Sequence, residues 1–222
     1  MNPPCADLPS LDHLTQQDYM HVYEPSDDTY LFVDTLESEK EYINSKNPRV
    51  CAEIGGGSGC LSAALSRVLK EPAAFFISDI NPFAAQACLK TLKANKVAYG
   101  EVLNADFLNC ISSRLERFGI DILLFNPPYV VTPSEEIGTS NIAASWAGGV
   151  NGREVLDRLI PKLPGIMSNT GTFYVVAIEE NNPDNICQML LEVGFNQAKV
   201  ISRRKAYNEK LMIIRADMIK QN

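Results

Sequence analysis

The sequence predicts an α/β protein, a doubly wound and mostly parallel sheet of seven strands closed at one edge by an antiparallel hairpin. Three observations carry this. From residue 49 onward, short apolar runs alternate with helical stretches. A glycine-rich turn, Glu53-Ile-Gly55-Gly-Gly57-Ser-Gly59, joins the first apolar run to the first helical one. The last two apolar runs are separated only by a polar turn. Strand–helix alternation favours parallel strands with helices on both faces.

The elements follow in order. Residues 49–54 are a short strand closed by glycines, and 58–70 place leucines at 61, 65 and 69, a helical spacing. A second strand covers 73–78, and Pro82 suits the first turn of a helix running to 95. Residues 101–105 and 120–125 are the third and fourth strands. A helix is expected over 151–167, with Glu154 and Arg158 as an i,i+4 pair on one face. Residues 172–178 are a strand apolar after its first residue, 184–192 a helix, and 197–202 with 210–215 the hairpin. The first 48 residues are less regular and hold one good helix, about 27–36. We read 1–48 as an N-terminal extension packed on a single domain spanning 49–222.

Composition narrows the function. The chain has 222 residues and net charge −7, so sequence-independent binding to a duplex phosphate backbone is not expected. Arg203-Arg204-Lys205 is the one short basic cluster, read as a solvated turn or, alternatively, a local basic patch. The longest apolar run, 173–178, is far short of the ~20 residues a membrane helix needs. The N-terminus has no basic region leading into an apolar core, so no secretory leader is expected. Cys5, Cys51, Cys60, Cys88, Cys110 and Cys187 form no C-x-x-C pair, and His13 and His21 are the only histidines, so no zinc site is expected in this chain. Scattered cysteines fit a reducing compartment.

Two loops carry chemistry. The glycine loop is not a dinucleotide fingerprint, because the final glycine position of G-x-G-x-x-G counted from Gly55 is Cys60. It is also no phosphate-binding P-loop. A carboxylate, Glu53, precedes the glycines and suits a cationic ligand rather than a pyrophosphate. Twenty residues past Gly59, Asp79 ends the second strand, where a carboxylate can hold both ribose hydroxyls. Asp106 ends the third strand at the same sheet edge. Acids at three adjacent strand ends fit S-adenosylmethionine, a sulfonium joined to an amino acid, a ribose and an adenine.

The second loop, Asn126-Pro127-Pro128-Tyr129, follows the fourth strand. Two prolines fix φ and remove two N–H donors, which leaves a stiff loop with outward acceptors. The Asn126 side-chain oxygen and the Pro127 carbonyl can grip the two protons of a planar NH₂ group. That grip localises a delocalised lone pair and aims it at an electrophile. No general base is needed before transfer, since the nitrogen becomes acidic once methylated. Tyr129 can stack on the flat substrate group. In a doubly wound sheet the first and fourth strands lie side by side across the switch point, so the two loops meet there. Trp146, the only tryptophan, sits in the small-residue loop 134–151 and is either a plug over the core or a wall of the substrate groove.

Together these residues resemble a known family. The acid-x-Gly-x-Gly-x-Gly loop with Asn-Pro-Pro-Tyr resembles Rossmann-like class I methyltransferases acting on amide or exocyclic amino nitrogens. More closely, Val22-Tyr-Glu-Pro25-Ser-Asp-Asp-Thr29, Asp79-Ile-Asn-Pro82, Phe125-Asn-Pro-Pro-Tyr-Val-Val-Thr-Pro133, the segment around Trp146-Ala-Gly-Gly-Val-Asn-Gly152, and Ile178-Glu-Glu-Asn-Asn-Pro183 resemble the eukaryotic and archaeal HemK-type protein-glutamine N5-methyltransferases. The resemblance runs from about residue 19 to the C-terminus.

It implies several things. The activity would be methylation of the glutamine of a Gly-Gly-Gln motif in the class-1 translation termination factor, in the cytoplasm, with the nucleus as an alternative. The cofactor contacts would be Thr29, Glu53, Gly55, Gly57, Asp79, Ile80, Asp106, Phe107 and Asn126. The catalytic residues would be Asn126, Pro127 and Tyr129, with Pro128 and Trp146 adding to the substrate site. A small zinc-binding activator subunit would complete a heterodimer. Bacterial relatives grip the release factor with a separate helical domain, for which 48 residues are too few, so docking would use this domain or the partner.

Three rival readings stand beside this one, and intact Asn126, Pro127 and Tyr129 argue against the first, a catalytically inert methyltransferase fold serving as a scaffold. A nucleic-acid adenine N6-methyltransferase would need a basic face. A protein-lysine (histone) methyltransferase would need to deprotonate its amine, which two acceptors do not do. The third strand, expected at a sheet edge, carries no proline or lysine over 101–104 and is the expected docking edge for the activator. Coverage of that edge by the chain's own N-terminal residues is the bland alternative.

Overall fold

The computed structural model describes residues 6–138, 142–207 and 209–218, so Cys5, the middle of the 134–151 loop and the tip of the hairpin lie outside the described residues. Seven strands form one sheet: β1 (Val50–Ile54), β2 (Ala74–Asp79), β3 (Tyr99–Asn104), β4 (Ile120–Phe125), β5 (Met167–Ile178), β6 (Gln197–Ala206) and β7 (Glu209–Asp217). Their order is β3-β2-β1-β4-β5-β7-β6. The first five are parallel, and β7 lies antiparallel between β5 and β6.

Both faces of the central strands are buried, which is why they read as unbroken apolar runs. Along β4, Ile122 and Leu124 face one core and Leu123 and Phe125 the other. Along β5, Tyr174 and Val176 alternate in the same way with Phe173 and Val175. The first core is closed by helices α2 (Asp27–Ser38), α4 (Cys60–Val68) and α5 (Pro82–Ala94), which supply Phe32, Leu65 and Cys88. The second takes Leu115, Leu159 and Ile186 from the helices of the later half.

The N-terminal extension carries more structure than the one helix expected. It adds two short helices, α1 (Gln16–Tyr19) and α3 (Lys40–Ser45). Leu14 and Val22 pack on Ala84 and Ala87 of α5. Farther on, Arg204 pairs with Asp34 and Arg215 with Glu39, while the Tyr42 hydroxyl donates to Asp217 at 2.5 Å. The extension is therefore tied to the C-terminal hairpin by largely buried ion pairs. This corrects the reading of 203–205 as a turn. These residues continue β6, and Arg204 faces inward to Asp34. A run of three basic residues hides strand alternation because it has no apolar side.

The helix expected over 151–167 is also broken. It becomes a turn at Val150–Gly152, a helix over Glu154–Leu159, a 3₁₀ turn at Ile160–Lys162 and a last helical turn over Leu163–Ile166. Pro161 and Pro164 explain this: each lacks an N–H and its ring clashes with the carbonyl four residues back, so each sits at the start of a new turn. The expected Glu154–Arg158 pair is not made. Glu154 accepts from the Ser134 hydroxyl at 2.6 Å, and Arg158 reaches Asp106 at 2.8 Å. The neighbouring i,i+4 pair, Arg153–Asp157, forms instead.

β3 lies at the sheet edge, and among the described residues no strand pairs with its outer side. Val102 packs on the first core and Leu103 on the second. The described N-terminal residues run elsewhere: Ser10 bonds Asn95, and Arg67 holds the carbonyls of Asp7 and Leu8.

Candidate active site

β1 and β4 are neighbours, in register from Cys51 against Ile122 to Ile54 against Phe125. The glycine loop leaves β1 and the Asn-Pro-Pro-Tyr loop leaves β4 at the same edge. Between them lies a cavity walled by Glu53, Gly55, Gly57, Asp79 and Asn126, with Thr29 reaching it from α2. Ile80, Asp106 and Phe107 line its far side.

The glycine loop is built for close approach. Gly59 has φ +79°, and a Cβ there would stand 3.0 Å from the Cα of Cys88. Only glycine lets α4 start this close to α5. Asp79 is nearly buried; its carboxylate accepts the Gly57 N–H at 2.9 Å and the Asn81 N–H at 2.8 Å, which ties the second strand to the loop. Burial raises its pKa against those two bonds.

Glu53 departs from the simple carboxylate expected. It is 2 % exposed and accepts from both the N–H and the hydroxyl of Ser62 on α4. Burial pushes its carboxyl up to about 8, against those two hydrogen bonds. At neutral pH it is mainly protonated, and a cation beside it would favour the ionised form.

Two polar atoms on residues lining this cavity are buried and have no partner among the described residues, the Ser78 hydroxyl and Oδ1 of Asn126. Asp106 accepts from Arg158, whose guanidinium also stacks on Phe107, its carbon 5.1 Å from the ring centroid.

The acceptor loop is held from behind. Asn181 is 2 % exposed, and its amide nitrogen donates to the carbonyl of Tyr129 at 3.0 Å and of Asn151 at 2.9 Å. Its oxygen accepts the Ile178 N–H at 2.8 Å. Gly152, with φ +64°, lies so close that a Cβ would stand 2.0 Å from the Tyr129 carbonyl. Val130 and Trp146 are joined by a backbone hydrogen bond of 3.0 Å.

A second cavity adjoins the loop on its other side, lined by Tyr23, Asp28, Tyr129, Trp146, Tyr207 and Glu209. Trp146 is 40 % exposed and walls this groove rather than plugging the core. Pro128 lines the first cavity, whereas Pro127 is buried and lines neither. Burial and the Asp28 charge raise the pKa of the Tyr129 hydroxyl, so it stays neutral.

Several residues are brought to the site that the sequence gives no reason to place there: Asp28, Asn181, Ser78, Tyr23, and Arg158, expected only as a helix-surface partner of Glu154. Asp28 and Asn181 lay inside segments already noticed, but nothing in their spacing marks a long-range contact.

A doubly wound sheet with an acid-flanked glycine loop on one side of the switch point and Asn-Pro-Pro-Tyr on the other defines a class I methyltransferase. Residues 25–145 match the family described as methyltransferase small domain, and the chain belongs to that family. It is 40 % identical over 203 residues to methyltransferase HEMK2 of Homo sapiens, covering 91 % of this chain and 92 % of that one. It is 38 % identical over 219 residues to the eRF1 methyltransferase catalytic subunit mtq2 of Schizosaccharomyces pombe, covering 93 % and 94 %. Among solved structures it resembles that of the E. cuniculi Mtq2–Trm112 complex responsible for methylation of the eRF1 translation termination factor. That match has a TM-score of 0.61 and 25 % identity, and covers 88 % of this chain and 98 % of the other.

Proposed function

We propose that this chain transfers a methyl group from S-adenosylmethionine to the side-chain N5 of the glutamine in the Gly-Gly-Gln motif of the class-1 translation termination factor. It does so as the catalytic subunit of a heterodimer. The observation that carries this is Oδ1 of Asn126, a buried acceptor without a partner among the described residues, on a residue lining the first cavity and within the loop that separates the two cavities.

The first cavity fits the cofactor. Glu53 and Asp79 offer carboxyls to the ammonium and the ribose, and the Ser78 hydroxyl is an unspent polar atom. Ile80 and Phe107 would flank its adenine and Asp106 would close that end, with Thr29, Gly55 and Gly57 completing the wall of the cavity. When bound, S-adenosylmethionine supplies an electrophilic methyl group on a sulfonium.

Asn126 accepts one proton of the glutamine NH₂; the carbonyl of Pro127, a residue that lines neither cavity in the free chain, accepts the other once the substrate enters the loop, and Pro128 keeps the loop stiff. Tyr129 and Trp146 wall the groove that admits the side chain. The two acceptors orient the nitrogen lone pair toward the first cavity, and the nitrogen loses its extra proton to solvent after transfer.

The second cavity favours this substrate over its rivals. Its carboxylates, Asp28 and Glu209, repel a phosphate backbone. They also hold a lysine amine in its protonated, non-nucleophilic form.

The activator docks at the β3 edge, supported by the open outer side of that strand and by the Trm112 partner in the related complex. In this reading the extension 1–48 and the domain 49–222 act as one unit, working in the cytoplasm. Among the described residues no helix is long and apolar enough to cross a membrane.

Labelled S-adenosylmethionine, offered with the heterodimer to the termination factor, histone tails and oligonucleotides, tests the reading. Label on the termination factor supports it, and label confined to a histone tail or an oligonucleotide overturns it. Hydrogen exchange at 102–105 should slow when the activator is added; protection at the C-terminal hairpin instead would move the partner to the other edge.

A further inference from the structure

Asp28, near the start of α2, is 3 % exposed, and its carboxylate faces the acceptor loop. Oδ2 accepts from Nδ2 of Asn126 at 2.9 Å and from the Tyr129 hydroxyl at 3.4 Å. Oδ1 accepts from the Tyr23 hydroxyl at 3.1 Å and from the backbone N–H of Thr29 at 2.6 Å. Every one of these partners is a donor.

An asparagine amide has one donor end and one acceptor end, and a carboxylate only accepts. Asn126 can therefore meet Asp28 only through its nitrogen. Its oxygen must turn the other way, and that oxygen is the buried atom without a partner. The usual ambiguity between the two amide orientations is removed here by the fixed polarity of the neighbour.

We propose that Asp28 is a positioning residue for methyl transfer: its buried carboxylate holds the Asn126 amide in the single orientation that presents an acceptor to the substrate nitrogen, and its charge polarises that amide. The inference rests on reading the site as one that grips a planar NH₂ group. A chain of hydrogen bonds strengthens each member, so the carboxylate makes Oδ1 of Asn126 a better acceptor than an isolated amide. The charge also sits one amide away from a nitrogen that becomes positive as its bond to the methyl carbon forms. No proton leaves or reaches Asp28 in this scheme.

Asp28→Asn is the sharpest perturbation, because it keeps the size and replaces one acceptor by a donor. The Thr29 N–H cannot be reversed and retains the remaining oxygen. The new NH₂ then faces Asn126, whose amide turns over and shows its own NH₂ to the substrate. In the heterodimer, kcat for the termination factor should fall about 10²–10³-fold, as for loss of a positioned polar group, with cofactor Kd little changed.

The double variant Asp28→Asn/Asn126→Asp exchanges the two groups. The carboxylate at 126 accepts from the amide at 28 and still offers an oxygen to the substrate. Its activity should exceed that of Asp28→Asn by about tenfold or more, an ordinary coupling for residues in contact. Asn126→Asp alone sets two carboxylates together and should stay inactive. A purely structural role for Asp28 would give no such recovery. Wild-type kcat in Asp28→Asn, or a double variant no better than that single one, overturns the inference.

A second readout needs no catalysis. The side-chain NH₂ protons of Asn126 should exchange slowly with solvent in nuclear magnetic resonance spectra of the wild type, and fast in Asp28→Ala. Unchanged exchange also overturns the inference. If the wild type fails to methylate glutamine, the reading of the substrate falls, and this exchange measurement alone decides the role of Asp28.

Discussion

The side we propose for the methyl donor and the side we propose for its acceptor are held by different kinds of contact. On the donor side the contacts are local: Glu53 bonds Ser62 nine residues on, and Gly57 bonds Asp79 twenty-two residues on. On the acceptor side they are remote: Asn126 bonds Asp28 across ninety-eight residues, and Asn181 holds the Tyr129 carbonyl across fifty-two. A pocket that receives a cofactor of fixed shape can be made by one strand–turn–helix unit and its neighbour. A loop that must present one acceptor in one orientation needs bracing from several parts of the chain.

The comparison breaks most visibly at Asn126. Asn126→Ala removes the acceptor but leaves the glycine loop and its acids in place. Turnover should fall by about 10²–10³, while cofactor affinity, measured by calorimetry, falls far less. Equal losses in both would mean the two sides are not separable.

Asn181→Leu strikes the bracing rather than the acceptor. It orphans the carbonyls of Tyr129 and Asn151 and the Ile178 N–H, groups now paired in or near the core. Leaving a buried polar group unpaired costs roughly 1–3 kcal/mol, so thermal unfolding should shift down and kcat should drop with little change in cofactor Kd. An unchanged kcat would show that the loop holds itself.

Asp79→Ala is the donor-side counterpart. It should weaken cofactor binding by roughly 1–3 kcal/mol, the range for a lost hydrogen bond to a charged group, and leave kcat at saturating cofactor nearly intact.

The smallest effect is a pH dependence. Burial raises Glu53 to about 8, so a cationic ligand must displace its proton to gain that carboxylate. Cofactor affinity should rise with pH through the neutral range and level off only above 8. The sign for the free protein is opposite: the protonated Glu53 favours the fold below its unfolded value of 4.5, and that contribution is lost as pH rises toward 8. A flat affinity profile between pH 6 and 8 would place Glu53 outside the ammonium site.

The same division governs what could be read from sequence. Seven strands, their parallel core and the hairpin were legible because each strand is an apolar run between turn signals. Glu53, Asp79 and Asp106 were legible as a set, since parallel neighbours carry successive strand ends to one edge, and all three line the first cavity. The acceptor loop was legible as a motif, but its support was not. Asp28 is one of two adjacent aspartates in the first turn of a helix, a common surface pattern, and only the fold brings it to Asn126. Asn181 looks like part of an ordinary polar turn before Pro183. The helix expected over 151–167 is broken because Pro161 and Pro164 each open a new turn, which the i,i+4 spacing of Glu154 and Arg158 does not reveal.

The central claim is that a planar amide NH₂ meets the methyl donor at Asn126. It is tested most directly by locating the transferred methyl group in the termination factor by tandem mass spectrometry after reaction with the heterodimer. A single added methyl group is expected on the side-chain nitrogen of the Gly-Gly-Gln glutamine, absent with Asn126→Ala. A methyl group on a lysine, an arginine or another glutamine, with the Gly-Gly-Gln peptide unmodified, would contradict it.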